Sequence, residues 1–169
     1  SRWIFRINNK NLPHGKGKCI FEDGLVYNGS WVNGKREGVG KMTFPNNDYY
    51  EGEWKNDAPN GKGEHSIGGE YYKGDFVEGN RHGKGTYKWS QEKTKYVGEF
   101  KNNCKDGFGI YYEKDTVYEG EWKNDAPNGK GKHYLGGEYY EGDFVEGNRH
   151  GKGTYKWIQK QIKYVGEFK

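Results

Sequence analysis

A chain of 169 residues is long enough for one ordinary domain, yet only 31% of it is hydrophobic, while 17% is aromatic and 29 residues are glycine. That leaves too little Leu, Ile and Val for a thick two-layer core, and the Tyr and Trp content argues against disorder despite 31% charged residues. A net charge of +4 without a long basic run makes no case for nucleic acid, Cys19 and Cys104 suggest neither a disulfide framework nor a metal pair, and no apolar run is long enough to span a bilayer.

Residues 3–9 read as a degenerate first strand, and residues 1–26 as a cap, because they lack the signature that follows. From Tyr27 onward, Tyr-x-Gly-x-Trp/Phe recurs at Tyr27, Tyr50, Tyr72, Tyr96, Tyr118, Tyr140 and Tyr164, every 22–24 residues. Eleven and thirteen residues after each of the first six tyrosines come paired glycines, from Gly38/Gly40 to Gly151/Gly153. This gives six full repeats over 27–163, starting at 27, 50, 72, 96, 118 and 140, and a truncated seventh over 164–169. The chain starts at Ser1 and stops within a repeat, which suggests a segment of something longer. A second periodicity lies above the first: residues 50–101 match 118–169 at an offset of 68, with eight differences.

Within one repeat, Tyr50-Glu-Gly-Glu-Trp54 alternates apolar or glycine with charged residues, the period of a half-buried strand. Residues 57–61 (Asp-Ala-Pro-Asn-Gly) read as a turn, 61–67 as a second strand, and Gly68-Gly69 as a tight turn into the next repeat. The expected fold is all-β: an elongated, single-layer antiparallel meander of stacked hairpins, twisted and open-ended, each strand adding ~4.8 Å. Glycines at Gly52, Gly61, Gly63, Gly74, Gly83, Gly85, Gly120, Gly129, Gly131, Gly142, Gly151 and Gly153 are expected to be structural. Those on the aromatic face leave room for a ring to lie flat across the backbone. Since an isolated hairpin is marginal in water, stability must come from coupling between neighbours.

No residue grouping points to catalysis. Gly79-Asn-Arg-His-Gly83-Lys84-Gly85 is one residue short of a phosphate-binding loop, has Gly85 where Ser or Thr is needed, and recurs at 147–153 as ordinary repeat sequence. His14, His82 and His150 share one repeat position and His65 and His133 another, so stacking holds them apart and no metal ligand set or cofactor site is expected. Lys16, Lys62, Lys84, Lys130 and Lys152 form a row pointing away from the aromatics. Taken alone they suit anionic headgroups, but Glu53, Asp75, Glu99, Glu121, Asp143 and Glu167 fall on the same face and should largely neutralise them. The aromatic face is therefore the expected partner-binding surface: Tyr27, Trp31, Tyr50, Trp54, Tyr72, Phe76, Tyr96, Phe100, Tyr118, Trp122, Tyr140 and Phe144.

The pattern Tyr-x-Gly-x-Trp-x-x-Gly-x-x-x-Gly-x-Gly resembles the MORN repeat from His14 onward, with Asp57, Asn103 and Asp125 in place of the middle glycine. The resemblance implies a non-catalytic scaffold in a cytoskeletal or ciliary (axonemal, radial-spoke-like) assembly. Its partners would be proteins: a peptide or helix in the groove, other structural subunits, or a second copy. It also implies two alternatives, a membrane-tethering or phosphoinositide-binding module and an accessory region of a larger enzyme such as a lipid kinase or methyltransferase. The expected setting is cytoplasmic and cytoskeletal, with the cilium or axoneme favoured.

Overall fold

The computed structural model describes residues 2–90 and 94–169, with the backbone alone for residues 2–6. It divides into two compact units, residues 1–82 and 83–169. The first carries β1 (Arg2–Ile7), β2 (Pro13–Ile20), β3 (Val26–Val32), β4 (Lys35–Thr43), β5 (Tyr49–Lys55), β6 (Ala58–Ile67) and β7 (Glu70–Val77). Most of β8 (Asn80–Lys88) belongs to the second, with β9 (Lys95–Lys101), β10 (Cys104–Glu113), β11 (Thr116–Lys123), β12 (Ala126–Leu135), β13 (Glu138–Val145), β14 (Asn148–Trp157) and β15 (Ile162–Phe168). Within each unit every strand pairs antiparallel with its sequence neighbours, as the expected meander requires. The described residues contain no helix.

The turn inside each repeat is tighter than the sequence suggests. Lys55 pairs with Ala58, so the loop is only Asn56-Asp57, and residues 58–61 of the expected turn belong to β6. Asn56 and Asp57 have φ of 49° and 69°, the left-handed pair of a type I′ hairpin turn, whose twist matches that of the strands. Asn103 and Asp125 occupy the same place at φ 72° and 69°, so the residues that replace the middle glycine do adopt its backbone conformation.

The Pro59-Asn60-Gly61 sequence, read as turn chemistry, builds a bulge instead. Gly52 pairs with Gly63 and Trp54 with Pro59, so Asn60, Gly61 and Lys62 stand opposite the single residue Glu53. Gly61 takes φ 96° there, and the Glu53 carboxylate accepts the Lys62 amide N–H at 2.8 Å. Glu121 serves Lys130 in the same way at 3.0 Å. The next pairing, β6 with β7, is regular from Gly61–Phe76 to Ile67–Glu70 and closes through Gly68-Gly69.

The repeats are also tied through their turns. The N–H of the second turn residue donates to a carbonyl of the preceding repeat: Asp57 to Arg36 at 3.1 Å, Gly79 to Pro59 at 2.8 Å, Asp125 to Lys105 at 3.0 Å and Gly147 to Pro127 at 2.9 Å. This is the nearest-neighbour coupling that a stack of individually marginal hairpins needs.

Candidate functional site

Tyr27, Tyr50, Tyr96, Tyr118 and Tyr140 each lie across their own pair of cross-strand glycines. Gly52 opposes Gly63, Gly120 opposes Gly131 and Gly142 opposes Gly153; Gly63–Gly74 and Gly85–Gly98 continue the register between repeats. A Cβ on Gly63 would stand 2.5 Å from the Tyr50 hydroxyl oxygen, and one on Gly131 would stand 2.4 Å from that of Tyr118. Any side chain there would evict the ring. The hydroxyl reaches across the glycines to donate to the backbone carbonyl three residues on: Tyr27 to Ser30, Tyr50 to Glu53, Tyr72 to Asp75, Tyr96 to Glu99, Tyr118 to Glu121 and Tyr140 to Asp143, at 2.8–3.1 Å. In the bulged repeats this carbonyl belongs to the residue facing the bulge, so the tyrosine satisfies an acceptor that the irregular ladder leaves over. Burial pushes the Tyr27 hydroxyl up to about 12 and also raises those of Tyr50, Tyr72, Tyr96 and Tyr118.

The rings meet edge to face. Tyr50 contacts Trp54 of its own repeat and Phe76 of the next, both at 5.0 Å between centroids with planes 90° and 88° apart. Tyr118 repeats this with Trp122 and Phe144, both at 5.0 Å. Trp54 and Trp122 also donate their indole N–H to the Gly40 and Gly109 carbonyls at 2.9 and 3.2 Å.

This arrangement corrects one expectation. The twelve rings expected to meet a partner are all buried, none more than 6% exposed. They cover one another, and the T-shaped contacts leave no open ladder. Tyr27, Trp31, Tyr50, Trp54, Tyr72, Phe76, Tyr96, Phe100, Tyr118, Trp122, Tyr140 and Phe144 are thus the core of the fold, and any binding surface must be built from what stands over them.

Part of that surface was missed by the sequence reading. Nine residues after the tyrosine, some repeats place a cation over the rings. Arg36 sits 4.6 Å from the Trp54 ring centroid, Lys105 sits 4.2 Å from that of Trp122, and Arg149 sits 5.2 Å from that of Tyr140. Arg36 is locked to the next turn: its amide and Nε both donate to Asp57 Oδ1, at 2.9 and 3.1 Å, and Nη2 donates to the Asp57 carbonyl at 2.9 Å. The Lys105 amide donates to Asp125 Oδ1 at 2.8 Å, and burial lowers the Lys105 ammonium below its ordinary value. Asp57 and Asp125 replace glycine where the preceding repeat offers Arg36 or Lys105. The signal was there: a basic residue at one position and an acid 20–21 residues later.

In the first unit the buried rings carry a groove of about 370 Å³. Tyr50, Trp54 and Phe76 form its floor. Leu25, Phe44, Ile67, Met42, His65 and the Arg36–Asp57 pair complete its lining. His65 packs against Tyr72 and Phe76, at 5.7 and 5.8 Å, and burial, helped by the Arg81 charge, lowers its pKa. The opposite face is ionic. Lys62 pairs with Asp75, Lys130 with Asp143 at 2.5 Å, Lys41 with Glu51 at 2.9 Å and Lys73 with Glu64 at 3.2 Å. Among the described residues no three or more His, Cys, Asp or Glu side chains converge as a metal site would require.

Tyrosine over paired glycines, edge-to-face coupling to the next repeat and a docked type I′ turn define a β-hairpin repeat array. The MORN repeat family model matches it seven times, over residues 9–26, 27–49, 50–66, 72–92, 96–115, 118–135 and 140–159. The chain belongs to the MORN-repeat family, and the first match falls within the stretch read above as a cap. Comparison with functionally curated proteins gives no match. MORN repeats are non-catalytic modules that mediate protein or membrane interactions.

Proposed function

We propose that this array is a protein-interaction scaffold that seats an apolar segment of a partner on its aromatic face, in a cytoskeletal or ciliary assembly of radial-spoke type. The observation that carries the reading is the groove over Tyr50, Trp54 and Phe76. It has the size of a small binding pocket, an apolar floor fixed by the core and the Arg36–Asp57 ion pair at its edge to orient what enters. A helix or strand presenting one bulky apolar side chain suits such a site. The cellular setting follows from the family resemblance alone. The membrane-tethering alternative is disfavoured because Lys62 and Lys130, in the row that would face headgroups, are already paired with Asp75 and Asp143.

Trp54 cannot test this reading, since replacing a core residue breaks fold and groove together. Phe44 and Ile67 stand on the wall, and Ile67 is 45% exposed. Phe44→Glu with Ile67→Glu should leave the melting temperature within a few degrees and strip the native partners from a pull-down. Unchanged capture by the charged groove would sink the proposal. A fluorescent fusion should mark the axoneme of a ciliated cell; diffuse signal would remove the ciliary setting while leaving the groove.

A further inference from the structure

The ionic face departs from its usual pattern in β10. In two repeats the lysine between the paired glycines lies between two acidic residues: Lys62 between Glu53 and Asp75, Lys130 between Glu121 and Asp143. In each case one acid takes the lysine's backbone N–H and the other its ammonium. In β10 the residue between Gly107 and Gly109 is Phe108, 52% exposed on this solvated face. It is still flanked by acids. Glu121 is its cross-strand partner on β11, and on the other side the β10 bulge that carries Phe108 faces Glu99 of β9, whose carboxylate lies over Gly107. Val39, the other exception to the lysine row, has an acid on one strand only: it pairs with Glu53, and Ser30 lies on the opposite side.

The surroundings of Phe108 are apolar where sister repeats are ionic. The cross-repeat pairs Lys41–Glu51 and Glu64–Lys73 become Thr86–Val97, and Val97 also pairs with Ile110. Two hollows of about 430 and 440 Å³ flank Phe108. One is walled by Val97, Ile110, Glu99 and Lys84, the other by Glu119, Glu141, Lys130 and Lys132.

We propose that this patch of the second unit, centred on Phe108 and rimmed by Glu99, Glu119 and Glu121, docks an arginine-bearing segment of a partner protein. The argument is charge complementarity. Glu99 stands opposite Lys84 and Glu119 opposite Lys132, but Phe108 replaces the lysine whose ammonium would meet Glu121, so an incoming guanidinium can take the place that a lysine fills elsewhere. The planar guanidinium stacks on the exposed Phe108 ring while its N–H groups reach the carboxylates. The aliphatic stem then covers Val97 and Ile110. This site is independent of the aromatic-face groove.

The test uses the full chain, isotope-labelled, titrated with an acetylated peptide alternating leucine and arginine and with its glutamate counterpart, read by amide chemical shifts. The arginine peptide should bind, with shifts centred on Phe108, Val97 and Ile110. Phe108→Lys restores the residue that five other repeats carry, so it should fold as well as the parent, supply the missing cation internally and weaken binding at least about tenfold. Glu99→Gln with Glu121→Gln should weaken it likewise. The proposal is overturned if Phe108→Lys binds as the parent does or if the glutamate peptide binds equally. It is also overturned if the shifts fall on the Tyr50–Trp54–Phe76 groove, or if no binding is seen up to about 1 mM.

Discussion

The two copies of the duplicated block, residues 50–101 and 118–169, agree at every signature tyrosine, glycine and tryptophan and at the Asn-Asp turn, and differ at eight positions. Glu92 and Lys93 lie outside the described residues. Of the rest, the most instructive are Glu64 and Lys73, which become Lys132 and Glu141. Glu64 stands opposite Lys73 and Lys132 stands opposite Glu141 in the same cross-strand register. The pair has reversed its sign and kept its place. Beside it, Tyr49 and Tyr71 both donate to Glu64 in the first copy, at 3.2 and 3.0 Å. In the second, Val117 replaces Tyr49, Tyr134 packs on Tyr139 at 4.8 Å, and Tyr139 donates to Glu141 at 2.5 Å. The aromatic face thus fixes residue identity, because a ring on a glycine pair admits no alternative. The ionic face fixes only a relation between neighbours, and this freedom lets a position such as Phe108 drift toward a different use.

The comparison breaks first if the cores of the two copies are not energetically alike. Raising the pH should unfold the array, because burial raises the hydroxyls of Tyr27, Tyr50, Tyr72, Tyr96 and Tyr118 above their unfolded value near 10. Their contribution is complete below pH ~10 and lost as the pH climbs toward the folded value, about 12 for Tyr27. Circular dichroism against pH should show loss of structure over that window; a flat trace to pH ~12 would remove the tyrosine lock. Next in size, Trp54→Ala and Trp122→Ala should each cost about 3–5 kcal/mol in urea unfolding. The two costs should agree within about 1 kcal/mol, given matching ring contacts and a cation over each indole. Gly63→Ala and Gly131→Ala should each cost about 1–3 kcal/mol, since the new methyl overlaps the tyrosine hydroxyl. If either were neutral, the ring would have room to move and the glycine would have another reason to be there.

Much of this was legible in the sequence. The repeat period, the antiparallel meander and the pairing of glycines with rings follow from alternation and from the absence of a side chain where a ring must pass. Two errors share a cause. In the sequence residues 57–61 read as a turn because Pro, Asn and Gly are turn residues in isolation. A bulge uses the same chemistry, and only the register of the partner strand tells the two apart. An open aromatic surface follows from alternation alone, which assigns a face but does not say how far neighbouring rings cover each other. The Arg36–Asp57 and Lys105–Asp125 ties were visible as a basic residue paired with an acid 20–21 positions on, but only once the turn was known to dock on the preceding repeat.

The smallest effect is the sharpest test of the reversed pair. Lys73 is 68% exposed and Glu64 27%, so the bridge is only partly shielded from solvent and should contribute about 0.2–1 kcal/mol. Glu64→Lys alone puts two lysines opposite each other; Lys73→Glu alone puts two glutamates opposite each other and crowds the Tyr49 and Tyr71 hydroxyls with a second carboxylate. Each single change should destabilise by a few tenths of a kcal/mol up to about 1. The double change writes the second copy's arrangement into the first and should recover most of the loss, with the whole effect shrinking in high salt. Recovery would be incomplete for a physical reason: Tyr71 can turn to the carboxylate introduced at position 73, as Tyr139 does to Glu141, but Tyr49 loses its acceptor, and Ser66 stands where the second copy has Tyr134. Adding Ser66→Tyr to the double variant should restore part of that residue by stacking on Tyr71. If the double variant were no better than the worse single, the two copies would resemble each other in register but not in the pairing that register holds.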